Sequence, residues 1–141
     1  MSLKECFEKG QLKRVNPDLA LAKKSLKRGI DILKEISALV EARFIEAAEQ
    51  RLYQAFFHMF KALLYKDGIK EHSHYCTILY VKETYKNKLG KFISTVEILK
   101  DLRNQSQYGI ESPFINREEI DEWINTADGL SQVLDKILSL S

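Results

Sequence analysis

Between Phe44 and Leu64, apolar side chains recur every three or four residues, which is the spacing of one face of an α-helix. The members of this stripe are Phe44, Ala48, Leu52, Ala55, Phe56, Met59, Phe60, Leu63 and Leu64. Gly68 follows shortly afterwards, and glycine readily adopts the left-handed conformation that ends a helix. The segment therefore predicts a long amphipathic helix that stops at Gly68.

Four further helices are predicted from the same periodicity. Three of their starts carry capping residues, which are Asn16 followed by Pro17, Ser73, and Asn116 with Glu119 three residues later. The first of these helices runs to Ile36, and another runs from Phe92 to about Tyr108. No segment shows sustained alternation of apolar and polar residues, so no strand is predicted. We expect an all-α fold, an antiparallel bundle of four to five helices over residues 16–141, with residues 1–15 as an N-terminal extension.

The charge balance excludes a polybasic nucleic-acid binder, because 22 basic residues face 20 acidic ones over 141 residues. The distribution is uneven, with seven lysines against three acids in residues 58–91 and seven acids against two bases in residues 111–141. No signal peptide or membrane span is recognised. The two cysteines, Cys6 and Cys76, are too few for a disulfide framework, so a reducing compartment is expected. These features favour a cytoplasmic protein without a membrane contact.

No phosphate-binding glycine loop, zinc-type cysteine pair or nucleophile elbow is present. His72, His74 and Cys76 alternate before the third helix, but their spacing matches no common zinc pattern. Polar residues at a helix start more commonly serve as caps or contact solvent. We therefore predict no metal site and no cofactor.

The end of the fourth helix holds the segment Arg103-Asn104-Gln105-Ser106-Gln107-Tyr108. Arg103 and Tyr108 lie about 140° apart around the helix, on neighbouring faces. One interpretation is structural, with the arginine neutralising the helix C-terminus and the tyrosine packing with its hydroxyl in water.

A second interpretation comes from a family resemblance. The segment from Ala48 to Leu64 resembles the second-helix signature of HEPN domains (higher eukaryotes and prokaryotes nucleotide-binding). The matching residues are Arg51, Tyr53, Ala55, Phe57, His58, Ala62, Leu63 and Leu64. Further similar elements are Ser73-His74, the segment from Arg103 to Tyr108, in which Ser106 and Gln107 depart from the family's Ala-Asp pair, and the segment from Trp123 to Val133 with Ala127. The resemblance extends from about Pro17 to Leu138.

The resemblance implies a helical bundle that forms homodimers. It also implies pairing with a minimal nucleotidyltransferase in a toxin–antitoxin-like module. In ribonuclease members of the family, an arginine steadies the charged phosphorane and a histidine four to six residues later moves the 2′-hydroxyl proton. Arg103 occupies the arginine position, but Tyr108 stands at the histidine position and no histidine follows it. A phenol, with a pKa of about 10, is a poor base at neutral pH compared with imidazole at about 6.5.

Three functions follow as hypotheses. The preferred one is a dimeric binding protein with a nucleotide or RNA phosphate site formed by Arg103, Asn104 and Tyr108, together with Arg51 and Tyr53 of the second helix. The second is a metal-independent endoribonuclease that uses Arg103 and Tyr108 across a dimer cleft. The third is a regulatory dimer without nucleic-acid contact. His58 is interpreted as a structural, hydrogen-bonded residue.

Overall fold

A computed structural model describes residues 1–109 and 115–140 of the chain. Within these residues the structure contains six helices and two short strands. In chain order they are α1 (Leu3–Glu8), β1 (Leu12–Arg14), α2 (Leu19–Glu41), α3 (Ile45–Asp67), β2 (Ile69–Glu71), α4 (His74–Thr84), α5 (Lys86–Tyr108) and α6 (Arg117–Ser139). The expected all-α helical bundle is confirmed. None of the helices in the described ranges is long and apolar enough to cross a membrane.

Helix α3 lies at the centre of the bundle and packs against α2, α4, α5 and α6. Eight of the nine residues of the predicted apolar stripe are completely buried, but Phe44 is 61% exposed because it precedes the first turn of the helix. Gly68 ends the helix in the left-handed conformation, with φ 75° and ψ 44°. Removing this many large side chains from water is the main source of stability for the bundle.

The helix starts were predicted with one error. Ser73 caps α4 by accepting a hydrogen bond from the Cys76 N–H, and Asn116 caps α6 by accepting one from the Glu119 N–H. The first predicted cap, Asn16, is wrong: Asp18 caps α2, accepting from the Leu21 N–H at 2.9 Å. Either side chain can cap a helix, and the sequence alone does not show which one lies at the turn.

The fourth predicted helix begins earlier than expected. Its start was predicted at Phe92, but α5 already starts at Lys86 and is kinked at Leu89, where φ is −123°. The kink lets Leu89 point into the core, where it is fully buried. The predicted end of the helix at Tyr108 is confirmed.

Two three-residue strands pair although no strand was predicted. Strands β1 and β2 are antiparallel, with Leu12 opposite Glu71 and Arg14 opposite Ile69. Leu12 and Ile69 are both buried and belong to the hydrophobic core. Segments this short are below the length at which alternation can be recognised. The division between an extension and a domain at residue 15 stays a prediction.

A disulfide joins the N-terminal segment to the bundle. Cys6 of α1 and Cys76 of α4 are bonded across a separation of 70 residues, with Cα atoms 5.9 Å apart. The reducing compartment expected from the small number of cysteines is not supported by this bond, because disulfides persist mainly in oxidising environments. The disulfide fixes α1 beside the first turn of α4, which is also the turn that carries His74.

Candidate functional site

Three aromatic rings lie together where α4 begins beside α3. Tyr53 and Phe57 are one helical turn apart on α3, so their side chains share a face. The imidazole of His74 stacks on Phe57, with ring centroids 3.9 Å apart and planes inclined by 17°. The Tyr53 hydroxyl is hydrogen-bonded to His74 Nδ1 at 3.0 Å. The stack thus connects the start of α4 to the central helix.

Arg103 of α5 completes this group from the other side. Its guanidinium carbon lies 5.4 Å from the centroid of the Tyr53 ring, in a cation–π contact. The side chain is half-buried. A guanidinium carries five N–H donors and can bind an anion that enters from solvent.

These residues surround a cavity of about 270 Å³ between α3, α4 and α5. Its walls are formed by Gln50, Tyr53, Gln54, Phe57, His58, His74 and Arg103. The lining combines aromatic rings, two side-chain amides, two imidazoles and one cation. This combination is suited to a small ligand that is partly flat and partly anionic. We call this cavity and its lining residues the Arg103 cleft.

The titratable groups of the Arg103 cleft are shifted by burial and by nearby cations. Partial burial, then Arg103, lowers the pKa of His74, and partial burial, then Lys61, lowers the pKa of His58. Burial raises the pKa of Tyr53 to about 12, against a smaller opposing effect of Arg103. At pH 7 both imidazoles are therefore mainly neutral, and the Tyr53 hydroxyl keeps its proton.

A buried carboxyl group lies within electrostatic reach of Arg103. Glu49 is completely buried on α3, one turn before Tyr53, and neither of its side-chain oxygens has a hydrogen-bond partner in the part of the chain that the structure describes. Burial, then Glu46, raises the pKa of Glu49 to about 7, and Arg103 opposes the shift. Glu49 was not among the site residues expected from the sequence. The available signal was its position four residues before Tyr53, on the same helix face.

The structure separates the five binding residues expected from the sequence. Tyr53 and Arg103 meet in the Arg103 cleft. Arg51 instead pairs with Glu35 of α2 at 2.5 Å. Asn104 is exposed, and Tyr108, at the last residue of α5, is 80% exposed; neither lines the cleft.

Two of the three residues considered for a metal site are used in other contacts. His74 belongs to the aromatic stack, Cys76 is in the disulfide, and His72 is exposed. His58, interpreted as structural, lines the cleft, and its backbone carbonyl accepts a 2.6 Å hydrogen bond from Ser25. His74 was not among the binding residues expected from the sequence, although it lines the Arg103 cleft.

The structure is an all-α helical bundle whose cleft is lined by one arginine and by aromatic rings. The chain belongs to the HEPN domain family, whose family model matches residues 22–137. Domains of this family are associated with nucleotides and RNA and commonly form dimers. A comparison with curated proteins found no significant match.

Proposed function

We propose that this HEPN domain binds the phosphate group of a nucleotide or an RNA in the Arg103 cleft. The observation that carries the proposal is the Arg103 guanidinium, held over the Tyr53 ring at the wall of an open cavity. A guanidinium can donate two parallel hydrogen bonds to a phosphate, and a half-buried one is screened less by water than one on the surface.

The assembly of the protein belongs to the same proposal. The family resemblance supports a homodimer that pairs with a minimal nucleotidyltransferase in a toxin–antitoxin-like module. Purification of the native protein from its source under mild salt tests the pairing. Recovery of a stoichiometric complex is expected, and recovery of a dimer alone contradicts it.

The phosphate site is tested by titrating fluorescently labelled single-stranded RNA into the purified full chain. Arg103→Ala is expected to weaken binding by at least about tenfold, because a hydrogen bond to a charged group contributes about 1.5–3 kcal/mol. Binding by the parent chain is expected to weaken with added salt. The matched control is Arg117→Ala, which removes an exposed arginine of α6. Equal affinity of Arg103→Ala and the parent chain would refute the site.

One observation favours a second candidate, metal-independent RNA cleavage. Tyr108 lies outside the lining of the Arg103 cleft, but His74 supplies a neutral imidazole beside Arg103. In such a reaction the imidazole accepts the 2′-hydroxyl proton while the 2′-oxygen attacks the adjacent phosphorus. The 5′-oxygen leaves and takes up a proton, and a 2′,3′-cyclic phosphate remains.

The cleavage assay is incubation of structured RNA with the protein and a chelator. Cleavage that survives the chelator, is lost in His74→Ala and is retained in Tyr108→Phe supports this candidate. RNA that stays intact at high protein concentration excludes cleavage, and phosphate binding then remains as the proposed function.

A further inference from the structure

His74 has one ring face fixed against the protein, yet its side chain is exposed. Its inner face is covered by Phe57 at 3.9 Å, and its Nδ1 is held by the Tyr53 hydroxyl at 3.0 Å. Phe57 itself is only 8% exposed, so the inner ring of the stacked pair lies in the core. A ring held on one side and open on the other is a platform on which another flat group can stack.

The backbone beneath His74 is also fixed. Ser73 accepts a hydrogen bond from the Cys76 N–H at 3.2 Å and caps the helix. The Ser73 carbonyl accepts a second bond from the Thr77 hydroxyl at 2.9 Å. The disulfide of Cys76 ties the same turn to α1. The platform is therefore ordered before a ligand arrives, which reduces the entropy lost on binding.

We propose that the Arg103 cleft takes a purine nucleotide as a unit, with the base stacked on the open face of His74 and the phosphate held by Arg103. The inference rests on the proposed phosphate site and names its ligand. Hydrogen bonding alone would give a site for any phosphate. The platform adds recognition of a nucleobase, and purines offer the larger stacking area.

The spacing of the two groups suits a single nucleotide. The Tyr53 ring is close to both groups, with its centroid 5.4 Å from the Arg103 guanidinium carbon and 5.9 Å from the His74 ring centroid. The guanidinium and the imidazole are thus no farther apart than these two distances combined. One nucleotide, whose base is linked through ribose to its phosphate, can span a separation of this size. Because His74 and Arg103 come from one chain, this site does not need a second copy.

Two glutamines provide groups for the edge of a base. Gln50 and Gln54 lie one turn apart on α3 and line the same cavity. The Gln54 side-chain oxygen accepts a hydrogen bond from Arg51 at 2.6 Å. Its amide nitrogen is therefore the atom left to donate to an acceptor on the base.

The proposal is tested by calorimetric titration of the full chain with AMP and with ribose 5-phosphate, which lacks the base. AMP is expected to bind about 5- to 150-fold more tightly, the range that stacking of one base provides. His74→Ala is expected to remove this difference, and His74→Phe, which keeps a flat ring, is expected to retain most of it. His72→Ala is the matched control, since it removes an exposed histidine two residues away.

The possible results separate this proposal from the phosphate site. If AMP and ribose 5-phosphate bind with equal affinity, the stacking platform is refuted. If Arg103→Ala then loses binding of both compounds, the phosphate site is still supported. Binding of neither compound at millimolar concentration also overturns the platform, and the RNA titration then decides the phosphate site alone. If His74→Ala does not fold, ring-current shifts of the His74 protons on adding AMP to the parent chain give the answer, and their absence refutes stacking.

Discussion

Glu49 gives the sharpest stability test, because it is completely buried and its carboxyl oxygens have no hydrogen-bond partner among the described residues. Its pKa is raised from 4.5 to about 7 by burial, then by Glu46. The folded state therefore binds the Glu49 proton more tightly than the unfolded state. It follows that this residue destabilises the fold increasingly as the pH rises from below 4.5 through 7.

The magnitude follows from the two pKa values. The destabilisation by Glu49 is about 1 kcal/mol at pH 5 and about 3 kcal/mol at pH 8, a change of about 2 to 2.5 kcal/mol. Glu49→Gln cannot ionise, so this pH-dependent loss disappears in the variant. The buried amide has its own desolvation cost, but that cost does not vary with pH.

The assay is urea unfolding of the parent chain and Glu49→Gln at pH 5, 6, 7 and 8. The difference in unfolding free energy is expected to move in favour of the variant by about 2 to 2.5 kcal/mol across this range, or about 8 °C in melting temperature. The lowered pKa values of His58 and His74 give an opposite slope. Because both proteins contain these histidines, their contribution largely cancels in the difference. Glu122→Gln, on an exposed surface of α6, is the control and is expected to show no such trend. If the unfolding free energies of the parent chain and Glu49→Gln change with pH in parallel, Glu49 does not have the raised pKa in the folded state.

Three further predictions concern the stability of the helical bundle. Cys6→Ser is expected to lower the unfolding free energy by about 4 kcal/mol, because the bond to Cys76 closes a long loop and reduces the entropy of the unfolded chain. Non-reducing mass spectrometry should show the parent chain two hydrogen atoms lighter than its reduced form. Unchanged stability in Cys6→Ser would contradict this role. Gly68→Ala is expected to destabilise the fold by at least about 2 kcal/mol in urea unfolding. The reasons are its φ of 75° and a new Cβ that would lie 2.5 Å from the Val15 carbonyl oxygen. Asn116→Ala removes the α6 cap and is expected to lower stability by about 1 kcal/mol, whereas Asn116→Asp, which can still cap, should stay close to the parent in the same assay.

The helices could be predicted from the sequence because their signals are local. The apolar stripe of α3 and the stop at Gly68 can be read within a few turns of chain. The strand pair could not, because each strand has three residues and is held by a partner more than 50 positions away. The disulfide is non-local in the same way, since nothing near Cys6 indicates that Cys76 lies beside it.

The candidate site was only partly predictable for a related reason. Arg103 and Tyr53 were chosen from a family resemblance, and the structure brings them within cation–π distance. Arg51 came from the same signature, but on the folded chain it faces Glu35 of α2. A helix pattern states which residues share a face, and it does not state which neighbouring helix covers that face.

The missing histidine after Arg103 takes on a different meaning once the fold is known. On the sequence, Tyr108 at that position argued against general-base chemistry, because a phenol holds its proton at neutral pH. In the fold, a neutral imidazole reaches the Arg103 cleft from the start of α4, with its Nδ1 held by Tyr53. The presence of an imidazole beside the cation is therefore not a property of the α5 motif alone. Stacking on a nucleobase uses the exposed face of the His74 ring, whereas proton transfer from a 2′-hydroxyl uses the in-plane lone pair of a ring nitrogen. Binding and cleavage therefore depend on different parts of the same side chain. His74→Phe distinguishes the two roles, because it preserves stacking and abolishes proton transfer.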